Sequence, residues 1–332
     1  MTTSETWDTA APDTAAPDTA EAAAPPGPVR LTVQLARGFA QLSLQANVWA
    51  GGLILLALFV ESWQTGVFAV LGTVVSTATA YALGVDKSSI DIGLQGFSGC
   101  LIGIALLVFL GHYPSTYLLA VGGAVLCVLL CAALSTALTP WKIPVLTAPF
   151  CIVCAVVVVA APAFTRVWHG GSPAALPVRA TADVDYTWTD LWHGFFTNIS
   201  QIGLSAHWYV GLIMLVALFV AGLRPGLAAA LGSAVAVLLA WALGAPPSAV
   251  AVGVYGYNAV LVAIALGTIF LAGSVSSTTY TLAGVATTTV LTASLNAYFA
   301  PFGGRTLTWP FIVTTWLFLA AVPAFSRIRR TA

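Results

Sequence analysis

A ten-residue stretch occurs twice in this chain. Leu94-Gln95-Gly96-Phe97-Ser98-Gly99-Cys100-Leu101-Ile102-Gly103 returns as Val254-Tyr255-Gly256-Tyr257-Asn258-Ala259-Val260-Leu261-Val262-Ala263. In both copies a small residue precedes an aromatic, a small polar residue follows it, and an apolar helix begins there. The aromatics lie 160 residues apart (257 − 97), and Gln41 and Gln201 keep that offset. Leu146-Thr147-Ala148-Pro149-Phe150 meets Leu307-Thr308-Trp309-Pro310-Phe311 one residue later. Landmarks sharing nearly one offset make the chain two copies of one unit.

The setting of those copies follows from charge. Of 332 residues, 59% are hydrophobic and 7% charged, against about 25% charged in an average chain. Too few charges remain to cover a soluble surface, so an all-α polytopic membrane protein is expected. The overall neutrality is misleading. Glu5, Asp8, Asp13, Asp18 and Glu21 lie in the first 27 residues without a Lys or Arg, which leaves eleven basic and six acidic residues behind them.

Residues 1–29, rich in Ala, Pro and Asp with Ala-Pro-Asp-Thr-Ala repeated, read as a disordered tail rather than a signal peptide. Val33–Ala46 and Leu191–Ala206 are amphipathic and short. Fourteen residues of helix reach about 20 Å, less than a hydrocarbon core of roughly 30 Å, so each reads as a half-spanning segment. Five apolar runs follow in the first half, approximately Val48–Val60, Val67–Leu83, Phe97–Leu110, Tyr117–Leu138 and Thr147–Phe164. Gly66, Gly84, His112-Tyr113-Pro114 and Pro140 punctuate them. The second half repeats the plan at Trp208–Leu223, Leu227–Leu243, Tyr257–Ala272, Tyr280–Phe299 and Thr308–Phe325. The expected divisions are a first repeat over 30–167, an extramembrane linker over 168–190, a second repeat over 191–326 and a basic tail over 327–332.

Five crossings per half is an odd number, so the second copy enters from the opposite side and the repeats are inverted. Ten crossings put both termini on one face. Arg327, Arg329 and Arg330 mark it as cytoplasmic.

The expected spans carry no Asp, Glu, Lys or Arg near their centres. Ion-coupled transporters keep ionisable groups in the bundle, so this absence favours passive passage of a neutral solute. A pore lined only by dipoles excludes ions because an unpaired buried ion costs on the order of tens of kcal/mol. The polar residues at membrane depth stand at broken helices: Gln41 and Gln201 on the short segments, Thr147 and Thr308 two residues before a proline tolerated in a first helical turn. Irregular backbone at that depth survives where it lines a cavity or is buried in protein.

Other chemistry has less support. Cys151-Ile152-Val153-Cys154 has CxxC spacing but lies in an apolar run without a partner pair, and reads as packing. No cofactor, metal cluster or nucleic-acid motif is expected, and His112, His169, His193 and His207 fall in loops or beside the second short helix. Two readings stay open beside a solute channel. One is a channel for another small amide or for ammonia. The other is an intramembrane serine protease, because Gly96-Phe97-Ser98-Gly99 matches a GxSG serine motif; its Ser98 needs a base within hydrogen-bond reach.

Together these residues resemble the urea transporter family. The resemblance rests on Arg37-Gly38-x-x-Gln41 with Asn47, Gly93-Leu94-Gln95-Gly96-Phe97-Ser98-Gly99 with Leu101, and Leu146-Thr147-Ala148-Pro149-Phe150. In the second half it rests on Gln201, Val254-Tyr255-Gly256-Tyr257-Asn258-Ala259-Val260-Leu261-Val262, and Leu307-Thr308-Trp309-Pro310-Phe311 with Trp316. It implies a homotrimer in the cell membrane, each protomer with its own urea channel between inverted halves and backbone carbonyls accepting from the amide protons. By the same resemblance Gln41 and Gln201 end the half-helices, Thr147 and Thr308 supply hydroxyls at the pore centre, and Phe97, Tyr257, Leu101 and Leu261 wall a flat slot. Leu44 and Leu204 stand where the family usually carries Phe, Gln201 where it usually carries Glu, and Tyr257 adds a hydroxyl. The leucines imply a filter that admits larger amides more readily.

Overall fold

A computed structural model describes residues 27–170, 174–177 and 185–331. The expected disorder of the N-terminal tail falls on residues outside this description, apart from its last three. Among the described residues fourteen α-helices follow in order. The first seven are α1 (Pro28–Ala40), α2 (Val48–Glu61), α3 (Trp63–Ala82), α4 (Lys87–Asp91), α5 (Phe97–Leu110), α6 (Pro114–Leu138) and α7 (Ala148–Ala160). The second seven are α8 (Trp188–Ser200), α9 (Trp208–Ala221), α10 (Leu223–Ala242), α11 (Pro247–Ala251), α12 (Tyr257–Ile264), α13 (Val275–Phe299) and α14 (Trp309–Ala321). Lengths match pair by pair except at α12, where the helix widens to a π-helix over Ala265–Phe270.

Local signals explain most boundaries. Pro28 occupies the first turn of α1, where its missing N–H costs nothing, so the helix begins before Val33. The side chains of Asn47 and Ser62 cap α2 and α3 by accepting from Ala50 and Thr65. The Ser62 cap moves the break upstream of Gly66, which lies inside α3 with Phe59 packed against it. A capping box between Thr187 and Asp190 starts α8 at Trp188, inside the segment expected to be linker. The Asp190 carboxyl, held by the Thr187 hydroxyl and N–H, is pushed below its ordinary range.

By length and composition α3, α10 and the run Pro114–Trp141 can each cross a membrane. The runs Pro28–Ser43 and Val48–Glu61 meet at 74°, as do Trp188–Gly203 and Trp208–Ala221. The helices α5, α7, α12 and α14 are apolar but short. Helix α13 is less apolar because threonines interrupt it, yet Thr281, Thr288 and Thr292 return their hydroxyls to carbonyls one turn earlier.

Close approach holds each half together. An ideal Cβ on Gly72 of α3 would stand 1.8 Å from the Gly99 carbonyl oxygen of α5. Large apolar side chains such as Leu118, Val156, Leu231 and Leu317 point outward and stay exposed, the surface expected against lipid. Between halves, α2 packs along α9, and the 3-10 turns at Gln41–Ser43 and Gln201–Gly203 touch. The basic tail is docked rather than free. Leu271 bridges to Arg330, whose guanidinium donates to the Lys142 and Leu319 carbonyls.

Candidate functional site

Four broken chain ends build the site. Helix α1 tightens into a 3-10 turn and stops at Leu44, which takes the left-handed conformation at φ 60°. Helix α8 does the same at Leu204, also at φ 60°. Leu146 and Leu307, just before α7 and α14, are left-handed at 54° and 47°. Non-glycine residues avoid this region at a cost of roughly 1–2 kcal/mol each. Its appearance at two pairs of equivalent leucines marks backbone forced into one shape by its surroundings.

Gln41 and Gln201 stand where α1 and α8 end. Their side-chain amides donate to the carbonyls of Ile92 and Val252, each at 2.8 Å. Both bonds pin the turn that leads into the repeated decapeptide. Gln41, Leu44, Phe97 and Leu146 line one cavity of about 620 Å³. Leu101 and Leu261 are buried one turn into α5 and α12.

Thr147 and Thr308 precede α7 and α14 without capping them. Their hydroxyls instead meet each other at 2.7 Å across the two halves, both buried. The Cys151 sulfur, one turn into α7, lies 3.0 Å from the Thr308 hydroxyl. Its packing role is therefore joined by a polar one that an apolar run in the sequence could not reveal. Trp316 ties the halves again by donating to the Pro144 carbonyl at 2.8 Å.

The hydroxyl that Tyr257 adds has a partner within the protein. It donates to the Leu307 carbonyl at 2.5 Å, so it is engaged with backbone instead of standing open to a solute. A Phe at the same position, as Phe97 is in the first half, leaves that carbonyl one donor fewer. Glu61, at the end of α2, also reaches across. Its carboxylate accepts from the Ser205 hydroxyl and lies 2.9 Å from His207 Nδ1, just beyond the end of α8. The spacing of 144 residues between Glu61 and Ser205 hides this contact from sequence reading.

Among the described residues no histidine supports the protease reading. The histidines contact other groups: His112 the Tyr117 hydroxyl, His169 the Tyr113 ring, His193 the Trp208 ring and His207 Glu61. Among the described residues none of them is bonded to Ser98.

Comparison with known proteins agrees with the motif resemblance. The family model described as "UT: Urea transporter" matches residues 32–323. Urea transporter 1 of Ovis aries is 31% identical over 291 residues, an alignment spanning 85% of this chain and 75% of that protein. Urea transporter 1 of Capra hircus aligns with the same identity and coverage. Urea transporter 1 of Mus musculus is 30% identical over the same length.

Proposed function

Because this chain belongs to the urea transporter family, we propose that it conducts urea passively down its gradient, through a pore that runs between its two halves. It is a transporter and not an enzyme. The observation that carries the pore's position is the Thr147–Thr308 hydroxyl pair, buried where two helix starts from different halves meet. Urea sheds water to pass a narrow buried site, and needs acceptors and donors that replace it. The threonine hydroxyls supply both, and carbonyls freed at the broken helix ends supply acceptors. Gln41 and Gln201 hold those ends, and Phe97, Tyr257, Leu101 and Leu261 form the apolar walls. The two halves are taken as inverted, with ten crossings, both termini cytoplasmic, the protein in the cell membrane and three copies per assembly. The repeat, its odd number of helices per copy and the family resemblance support that arrangement.

Purified protein in liposomes tests the reading. Urea influx above that of empty vesicles is expected, unchanged when proton or sodium gradients are collapsed. Urea accumulation against its gradient, or flux lost with an uncoupler, refutes it. Vesicle shrinkage with ammonia exceeding that with urea favours the ammonia alternative.

Selectivity follows from Leu44 and Leu204. An aromatic pair makes two rigid planes that offer a weakly negative face to amide N–H groups. Leucine keeps the wall apolar but is branched and changes rotamer. The Leu44→Phe/Leu204→Phe double variant is expected to lower the acetamide-to-urea flux ratio by about two- to five-fold, the effect of gaining one weak contact of about 0.5–1 kcal/mol that favours urea. An unchanged ratio in a conducting variant places selectivity elsewhere.

A further inference from the structure

The two halves repeat in sequence, but their helix starts are held differently. Asn258 is fully buried at the first turn of α12. Its side-chain nitrogen donates to the Leu307 carbonyl at 3.3 Å, and its side-chain oxygen accepts from the Phe311 N–H at 3.3 Å. A carbonyl only accepts and an N–H only donates, so these partners leave the amide one orientation. Tyr257 adds a second donor to the same Leu307 carbonyl, which occupies both of its lone pairs. The Phe311 N–H is one of the orphan donors of a helix start, and Thr308 does not cap it. In the first half Ser98 stands in place of Asn258 and Phe97 in place of Tyr257. Among the described residues no side chain donates to the Leu146 carbonyl or accepts from the Phe150 N–H.

We propose that Asn258 is a positioning residue for urea passage: with Tyr257 it closes the Leu307 carbonyl to solute, caps α14 from a neighbouring helix, and thereby fixes Thr308 against Thr147. This rests on the pore running past the threonine pair. One amide clamps the residues on both sides of Thr308, and so sets where its hydroxyl points. The pore is consequently unequal about its centre. Leu146, which lines the cavity with Gln41, Leu44 and Phe97, keeps an open carbonyl for an amide N–H, whereas Leu307 does not.

The test replaces Asn258 with the residue of the first half. Asn258→Ser is expected to lower urea flux in liposomes about five-fold. Combined with Thr308→Val it should add little further loss, because it acts through that hydroxyl. An undiminished five-fold loss on the Thr308→Val background, or no loss in the otherwise unchanged protein, overturns the proposal. Full flux in Thr308→Val alone overturns the pore position itself, a different result. Hydrogen exchange of the unsubstituted protein gives an arm that needs no variant. The Phe311 amide should exchange at least ten-fold more slowly than the Phe150 amide, and Asn258→Ser should bring the two together. Equal protection in the unsubstituted protein overturns the cap.

Discussion

Replacing Thr308 by Val should lower urea flux about ten-fold and also destabilise the protein, whereas Thr147→Val should lower flux similarly with less loss of stability. Valine keeps the shape of threonine and removes only the hydroxyl. A solute that leaves water in a buried constriction and finds no partner loses about 1–3 kcal/mol per unmade hydrogen bond, and 1.4 kcal/mol is a factor of about ten. The two variants separate because the partners are unequal. Among the described residues the Thr147 hydroxyl bonds only to that of Thr308, so Thr308→Val leaves a buried hydroxyl without a partner. Thr147→Val leaves Thr308 the Cys151 sulfur at 3.0 Å. Removing both members of a buried pair is nearly neutral for stability, so the double variant should melt no lower than Thr308→Val yet conduct least. Liposome flux and thermal unfolding in detergent read the two effects apart. A double variant that conducts urea normally removes the threonines from the pore.

Gly51→Ala and Gly211→Ala should each abolish most flux and most folded protein, while Gly52→Ala should not. An ideal Cβ at Gly51 of α2 falls 1.8 Å from the Ala36 carbonyl oxygen of α1, and at Gly211 of α9 it falls 1.9 Å from that of Phe196 in α8. Neither obstacle is a side chain that can turn aside. Helix α1 or α8 itself must move, and it leads to Gln41 or Gln201 and the left-handed leucine at its tip. Overpacking commonly costs about 1–3 kcal/mol, and a backbone obstacle sets these sites at or above the upper end. Around Gly52, among the described residues, no atom apart from its chain neighbours and its own helix backbone lies within 4 Å of the added carbon. Alanine there gains up to about 1 kcal/mol of helix propensity and should leave flux unchanged. Monodispersity after extraction, thermal midpoint and urea flux make the comparison. Equal behaviour of Gly51→Ala and Gly52→Ala would show that α1 is not held at this crossing.

A pH response follows from Asp91, the last residue of α4, and Asp190, in the capping box of α8. Arg30 and the Gln34 amide lower the Asp91 carboxyl below its ordinary range, as the Thr187 groups do for Asp190. A lowered carboxyl contributes stability above its unfolded pKa and loses it as pH falls through the folded value. Both carboxylates therefore stay charged at neutral pH, and their contacts weaken only in acid below the ordinary carboxylate range.

What could be read from residues alone was whatever neighbours in the chain decide. The repeat, the membrane class, the proline-marked starts of α7 and α14 and the short half-helices all depend on local pattern. The helix starts appear at or near their expected places, and the family comparisons bear out the resemblance. Boundaries moved where a cap outweighed a glycine, as Ser62 did over Gly66 and the Thr187–Asp190 box over the linker. Tertiary structure alone decided which polar groups met. Thr147 finds Thr308 at a separation of 161 residues. Glu61 finds Ser205 and His207, and Cys151 turns from packing to a hydroxyl. The Tyr257 hydroxyl, free on paper, is taken by Leu307 because that carbonyl arrives beside it when α12 packs against α14. Hydrogen-bonding capacity belongs to the residue, but in a dry interior the partner is whichever complementary group packing brings within about 3 Å. Packing, unlike periodicity, is not written in any short stretch of the chain.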